Sequence, residues 1–129
     1  MPTNSLIPYF DDASNVTCTT TAATVGKTFV QISGNLASDN TISVATCGLG
    51  VRAFGVAEYN AASGAWTGVV RRGIVPVTVG AVALVAGVEV QSDANGLAIA
   101  WTGVIGTRPL GICCTAANPG TDAMIALYR

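Results

Sequence analysis

The amino-acid sequence predicts a mainly β protein: a small single-domain β-barrel or β-sandwich of short antiparallel strands, preceded by an extended N-terminal arm. Three observations support this fold class. Short segments rich in Val, Thr and Ala alternate with a period of two, which is typical of half-buried strands. Turn-forming residues separate these segments at intervals of about 8–12 residues. The chain has 129 residues, enough for one compact domain and few for two.

Residues 1–15 are expected to form the arm, and residues 16–129 the β-rich domain. Pro2 and Pro8 disfavour regular structure in the first segment. It contains an isolated apolar run, Leu6-Ile7-Pro8-Tyr9-Phe10, which is followed at once by Asp11-Asp12. We expect this run to dock on a neighbouring molecule as an interface. The alternative is that it folds back onto its own domain.

Ten segments of the remaining chain have the composition of strands. Turn residues such as Ser63-Gly64 and Asn118-Pro119-Gly120 separate them. A helix is poorly supported, because only residues 81–86 could form a turn or so and their valines suit a strand as well. The predicted strands are 16–20, 28–32, 42–46, 52–57, 66–70, 74–79, 88–91, 97–102, 110–114 and 123–128.

One segment of the sequence recurs 56 residues later. Residues 50–56 (GVRAFGV) align without gaps to residues 106–112 (GTRPLGI), and the register continues through Ala61 with Ala117 and Gly64 with Gly120. Each copy then enters a second strand. The pattern indicates two strand–loop–strand units with equivalent roles, which we expect to pair in one barrel.

The composition argues against catalysis. The chain has no histidine and only 7 acidic and 6 basic side chains. Acid–base catalysis, Ser-His or Cys-His nucleophiles and mixed metal sites depend on groups that this chain lacks or has in small number. We therefore expect no catalytic residues, no metal site and no cofactor, and we interpret the chain as a structural or binding protein.

Nucleic acid and membrane are also unexpected partners. The net charge is −1 and Arg71-Arg72 is the only adjacent basic pair, so no basic stripe could neutralise phosphates. The longest apolar segment, 73–88, contains Pro76 and is shorter than the roughly 20 residues that a membrane-spanning helix needs.

The four cysteines, Cys18, Cys47, Cys113 and Cys114, are expected to be reduced and packed as small apolar side chains. A Cys18–Cys47 disulfide is the alternative. Cys113 and Cys114 would point to opposite faces of a strand, which disfavours a bond between them.

Four arginines are the charged side chains that we single out as a candidate interface: Arg52, Arg71, Arg72 and Arg108. The alternative is that they lie on solvated faces of their strands.

The order of several short motifs resembles the capsid cement, or head-decoration, proteins of tailed phages over nearly the whole chain. An IPYF arm (7–10) leads into VTC (16–18), and VGKTFVQISG (25–34) and FGVA (54–57) follow. RGIVPV (72–77) and AGVEV (86–90) come next, and the chain closes on PLGI (109–112) and LYR (127–129).

This resemblance implies a small β-rich structural protein of the virion, located on the outer surface of the capsid. The implied partners are the major capsid protein and further copies of the chain, arranged as a homotrimer. The implied function is to stabilise the expanded shell.

Two other classes of function stay open. In a carbohydrate- or surface-binding β-module, Trp66, Trp101 and Tyr59 would form a stacking platform, although buried cores would explain these residues equally. The other class is a small β-domain accessory to an enzyme.

Overall fold

The computed structural model describes residues 14–128, and in that range the protein is all β, with ten strands and no helix. All ten predicted strands are present, five of them shorter than predicted, and the predicted fold class is confirmed. The arm lies outside the described residues, apart from Ser14 and Asn15. The strands are β1 (Asn15–Thr20), β2 (Phe29–Ile32), β3 (Ile42–Thr46), β4 (Gly55–Ala57), β5 (Trp66–Val70), β6 (Ile74–Thr78), β7 (Glu89–Ser92), β8 (Ala98–Ala100), β9 (Gly111–Cys113) and β10 (Asp122–Leu127).

The first five strands form a closed barrel in the order β1-β3-β2-β4-β5, with β5 pairing back to β1. All pairs are antiparallel except β1 and β3, which run parallel, with Cys18 opposite Ile42 and Thr20 opposite Val44. We call residues 14–72 the first unit.

The last five strands, in residues 73–128, form a second sheet in the order β6-β10-β9-β7-β8. We call this the second unit. Adding five to each strand number of the barrel gives the same neighbours in this sheet: β5 pairs with β1 and β10 with β6, and likewise β4 pairs with β2 and β9 with β7. The parallel pair that closes the first barrel is reduced here to one isolated bridge, Val79 with Ala98.

Equivalent backbone hydrogen bonds show that the two units are structural repeats. The amide of Phe54 donates to Val30 at 2.7 Å, and the amide of Leu110 donates to Val90 at 2.8 Å. Likewise Arg71 donates to Ser14, and Leu127 donates to Gly73. The recurrence in the sequence is therefore a structural repeat. Its expected pairing in one barrel is wrong, because β4 and β5 lie in one sheet and β9 and β10 in the other.

The repeat extends to side chains and to backbone conformation. Gln31 accepts a hydrogen bond from the amide of Gly48, and Gln91 accepts one from the amide of Thr102. In the turn before β2, Lys27 has a φ of 61°, and at the equivalent position in the turn before β7, Gly87 has a φ of 88°. Lys27 thus adopts a left-handed conformation that is more easily reached by glycine.

The units share an apolar core. One cluster lies within the barrel and includes Cys18, Val30 and Val69. The larger cluster combines Phe29 and Val56 of the first unit with side chains of the second, such as Val90 and Ile125. At the surface, Lys27 forms an ion pair with Asp122 at 2.7 Å. The hydrogen bond from Lys27 lowers the pKa of the Asp122 carboxyl.

Nothing in residues 14–128 has the length and hydropathy of a membrane-spanning helix.

Candidate functional site

A cavity of about 280 Å³ lies between the two units. Its walls are formed by the segments that precede β4 and β9 and by the residues at the ends of β5 and β10. We call it the arginine pocket. It is lined by Phe29, Arg52, Ala53, Phe54, Gly55, Arg71, Arg108, Pro109, Leu110, Leu127 and Tyr128.

The pocket is built from equivalent residues of both units. Positions 52, 53, 54 and 71 correspond to positions 108, 109, 110 and 127, and all eight residues line the cavity. Arg52 and Arg108 thus occupy equivalent positions in the two units. The third arginine, Arg71, takes the place that Leu127 has in the second unit.

The pocket holds three of the four arginines that the sequence singled out. Arg52, Arg71 and Arg108 line it, whereas Arg72 is exposed and lies outside the lining. No lining residue that the structure describes is acidic. Three arginines among the lining residues favour an anionic ligand, because guanidinium binds carboxylate through paired hydrogen bonds.

Arg71 is held in place by Phe54. Its Cζ lies 4.4 Å from the centroid of the Phe54 ring, and its Nε donates to the Phe54 carbonyl oxygen at 3.1 Å. The cation–π contact and the hydrogen bond together fix the Arg71 side chain at the wall of the pocket.

Tyr128 supplies a polar group at the same pocket. Its hydroxyl donates to Glu89 Oε2 at 3.0 Å. Desolvation, followed by the hydrogen bond and the charge of Glu89, raises the pKa of the Tyr128 phenol. The phenol therefore stays protonated at neutral pH.

The candidate arm residues Leu6, Ile7, Pro8, Tyr9 and Phe10 lie outside the described residues. The structure does show where the described chain begins. The carbonyl of Ser14 accepts a hydrogen bond from the amide of Arg71 at 2.8 Å. Ser14 therefore lies beside Arg71, one of the residues that line the arginine pocket.

Two exposed apolar turns form a second feature, which the sequence analysis did not single out. Leu49 is 64% exposed in the turn before Gly50, and Val104 and Ile105 are 59% and 101% exposed in the turn before Gly106. The two turns are equivalent in the repeat and lie close together, since a Cβ on Gly50 would be 2.6 Å from Thr107 Cγ2. In the sequence, the apolar residues next to glycines at equivalent positions of both copies could have indicated these turns.

The three aromatic residues of the alternative platform have separate surroundings. Trp66 Nε1 donates to Asp39 at the tip of the β2–β3 hairpin, and Trp101 Nε1 donates to Thr107 in the second unit. Tyr59 is exposed in the β4–β5 turn. These contacts do not bring the three side chains together into one binding face.

The described carboxylates serve turns and hydrogen bonds. Asp39 Oδ1 accepts from the amide and the hydroxyl of Thr41, and these bonds lower the pKa of the Asp39 carboxyl. Asp93 Oδ1 accepts from the amides of Asn95 and Leu97. Within residues 14–128 no three His, Cys, Asp or Glu side chains are grouped as metal ligands would be.

Two repeated β units joined by a shared core, with an arginine pocket and apolar turns at the surface, define a β-rich binding or structural protein. The chain belongs to the phage cement protein family, whose model matches residues 10–128. This confirms the resemblance inferred from the sequence. The protein is therefore a capsid-associated structural protein, located at the capsid surface of the phage virion.

The fold is also found in a solved structure, the head fiber gp8.5 N base in bacteriophage phi29. The two chains are 16% identical, with a TM-score of 0.72 over 88% of this chain and 92% of the other. A comparison with curated proteins finds no match.

Proposed function

We propose that the protein is a decoration protein that binds the outer face of the expanded capsid and stabilises the shell. Its partners are the major capsid protein and two further copies of itself in a homotrimer. In this proposal residues 1–15 form an arm and residues 16–129 the decoration domain. The arm residues 6–10 and the four arginines supply contacts.

The two apolar turns are the observation that supports binding to a large partner. Ile105 is fully exposed in the isolated chain, and Leu49 and Val104 are each more than half exposed. Burial of a side chain of this size contributes about 1.5–3 kcal/mol. Many copies on one shell multiply a modest contact of this kind into stability of the whole particle.

The first experiment adds the purified protein to expanded shells that lack it. We expect saturable binding and a higher temperature of shell disruption, measured by light scattering. Sedimentation equilibrium of the free protein should give three times the 13.0 kDa mass of one chain. Binding without a change in disruption temperature would contradict the proposed stabilising role. A monomeric mass at all concentrations would contradict a trimer that forms before binding.

A pair of variants locates the contact. Replacing Ile105 and Leu49 by Ser should lower occupancy on the shell without changing the melting temperature of the free protein. The matched control is Val82→Ser, since Val82 is 70% exposed in a different turn. Equal loss of occupancy in both variants would show that general surface polarity, and not these turns, governs binding.

A further inference from the structure

The outer face of the second sheet is apolar across β6, β10 and β9. Residues that lie opposite each other in paired strands point to the same side of a sheet, and Ala126 lies between Ile74 and Ile112. In the next row Met124 lies opposite Pro76. Ile74 is 60% exposed and Met124 38%. We call this surface the outer face, and it consists of Ile74, Pro76, Ile112, Cys114, Met124 and Ala126.

Backbone hydrogen bonds align the outer face with β1, β4 and β5 of the first unit. The amide of Glu58 donates to Gly68 in the first unit, and the amide of Cys114 donates to Met124 in the second, both at 2.8 Å. The first residues of β1 and β6 also correspond, because each follows a carbonyl that accepts a hydrogen bond from the chain at the end of β5 or β10. The equivalent pairs are Asn15 and Ile74, Glu58 and Cys114, and Gly68 and Met124.

The first unit is polar at these three positions. Asn15 Nδ2 donates to Glu58 Oε1 at 2.8 Å. The Glu58 carboxylate covers Gly68, since it occupies the space that a Cβ on this glycine would need. The same strand arrangement therefore accepts polar side chains, and the fold does not require the isoleucine, cysteine and methionine of the second unit. Grouped apolar side chains that are exposed without being required by the fold indicate contact with a partner.

The shared core shows what packs on this face of a repeat unit. Val56 is the first-unit equivalent of Ile112, by the same offset of 56 residues that relates the hairpins. It belongs to the cluster shared with the second unit, whereas Ala57 belongs to the cluster inside the barrel, so Val56 points outward. Val56 is only 3% exposed. In the first unit this face is thus covered by a β unit of the same fold.

A second copy of the chain is the partner that fits the outer face. Residues 14–128 of the same chain leave Ile74, Cys114 and Met124 exposed, and a further β unit of the same fold is supplied by another copy. All six side chains of the outer face are uncharged. Copies of this face can therefore meet around a symmetry axis without repulsion between like charges.

We propose that the outer face is the contact between copies of this chain in the homotrimer. This inference rests on the proposed function and adds to it the surface through which the copies associate. The contact with the capsid uses other residues, the two apolar turns.

The direct test copies the face of the first unit onto the second. The variant with Ile74→Asn, Cys114→Glu and Met124→Gly carries residues that the same strands already accept in the first unit. Association between copies should weaken about a hundredfold or more, because each buried apolar side chain contributes about a tenfold factor or more. Sedimentation equilibrium should then give the mass of one chain in place of three, and circular dichroism checks the fold. Cys114→Glu alone, a change at one exposed position, replaces this variant if it folds poorly.

The matched control is Val85→Ser, since Val85 is 58% exposed in the turn before β7. It removes a similar apolar side chain outside the outer face and should leave the trimer unchanged.

Cys114 reports on the same contact in the unaltered protein. An alkylating reagent should modify it readily at protein concentrations at which the chains are single. Above the concentration at which the trimer forms, the rate should fall about tenfold or more, because mass action removes free chains. Mass spectrometry of peptides identifies the modified thiol.

Three outcomes would overturn the proposal. A trimer that persists in the copied-face variant, with Cys114 equally reactive at all concentrations of the wild type, would place the contact between copies elsewhere and leave the homotrimer intact. A monomeric wild type whose copied-face variant loses occupancy on expanded shells would assign the outer face to the major capsid protein. Protection of Cys114 that does not depend on concentration would assign it to a segment of its own chain.

Discussion

At the scale of single residues, Gly55 and Gly111 occupy the same position in the two units for the same steric reason. A Cβ on Gly55 would lie 2.5 Å from the carbonyl oxygen of Val70. A Cβ on Gly111 would lie 2.5 Å from the carbonyl oxygen of Ala126, the equivalent residue. Backbone atoms of a paired strand cannot move away as a flexible side chain can, so both glycines are required for strand pairing.

Gly55→Ala and Gly111→Ala should each lower the free energy of unfolding, by about 1–3 kcal/mol, because the added methyl group forces strands apart. Urea unfolding followed by tryptophan fluorescence or circular dichroism measures this. The matched control is Gly34→Ala, where the nearest atom to the new Cβ is 3.9 Å away. Its change should stay within about 0.5 kcal/mol. A similar loss in all three variants would contradict the steric explanation.

The buried thiols predict how stability depends on pH. Burial raises the pKa of Cys18 to about 11, from 9.0 in the free side chain, and burial also raises the pKa of Cys47. Between pH 9.0 and about 11, the unfolded chain has released the Cys18 proton and the folded protein has kept it. The contribution of Cys18 to the free energy of unfolding should therefore be constant below about pH 9 and should fall as pH rises toward about 11.

Urea unfolding at pH 8, 9, 10 and 11 measures this decline, and Cys18→Ala should make it shallower. An identical decline in the variant would assign the effect to other groups. Thiol counting with an aromatic disulfide reagent is a parallel check, and four thiols are expected in denaturant. In the native protein Cys114 should react first, because it is exposed while Cys18, Cys47 and Cys113 are buried.

Single-residue properties that depend on strand alternation could be read from the sequence, and those that depend on tertiary proximity could not. Cys113 is buried and Cys114 exposed, as adjacent strand residues should be. The arginines were identified individually. Their convergence was not, because Arg52 and Arg108 come from loops before β4 and β9 and meet only when the two units pack together.

At the scale of strands, the two units differ in how their sheets close. In the first, β1 and β3 form a parallel pair that includes three residues of each strand. In the second, a single bridge between Val79 and Ala98 replaces that pair. Fewer hydrogen bonds hold β8 on that side, so we expect β8 to open more often than β3.

Hydrogen exchange of backbone amides tests this difference. Amides in β8 should exchange about tenfold faster or more than amides in β3, since local opening sets the exchange rate. Amides of β2 and β7, which are flanked by strands on both sides in each unit, serve as the matched comparison and should both be slow. Equal protection in β3 and β8 would mean that the single bridge closes the second sheet as effectively as the full pair closes the first.

Strand positions were predictable from alternation, but strand partners were not. Period-two segments identify β1 and β3 separately, and nothing in either indicates that they run parallel. The repeat at an offset of 56 residues did identify β4–β5 and β9–β10 as equivalent hairpins. It could not show their placement in different sheets, because equivalence within a repeat and pairing in space are independent properties.

At the scale of the whole molecule, the described core holds the two units together. One core cluster lies within the first unit and includes Val16, and the larger cluster combines side chains of both units. If the arm contacts a neighbouring molecule, as proposed, deleting residues 1–10 should leave the melting temperature unchanged within about 2 °C, as for a surface change.

The same deletion should lower occupancy on expanded shells, because Leu6, Ile7, Tyr9 and Phe10 would no longer be available for burial against the partner. Two or three such side chains contribute several times the roughly 1.5–3 kcal/mol of one. The matched control is a full-length chain with these four residues replaced by Ser, which keeps the arm length and removes its apolar surface. Both variants should bind equally weakly if apolar burial is the cause. Unchanged occupancy together with a lower melting temperature would show that the arm packs on its own domain, which was the alternative left open by the sequence.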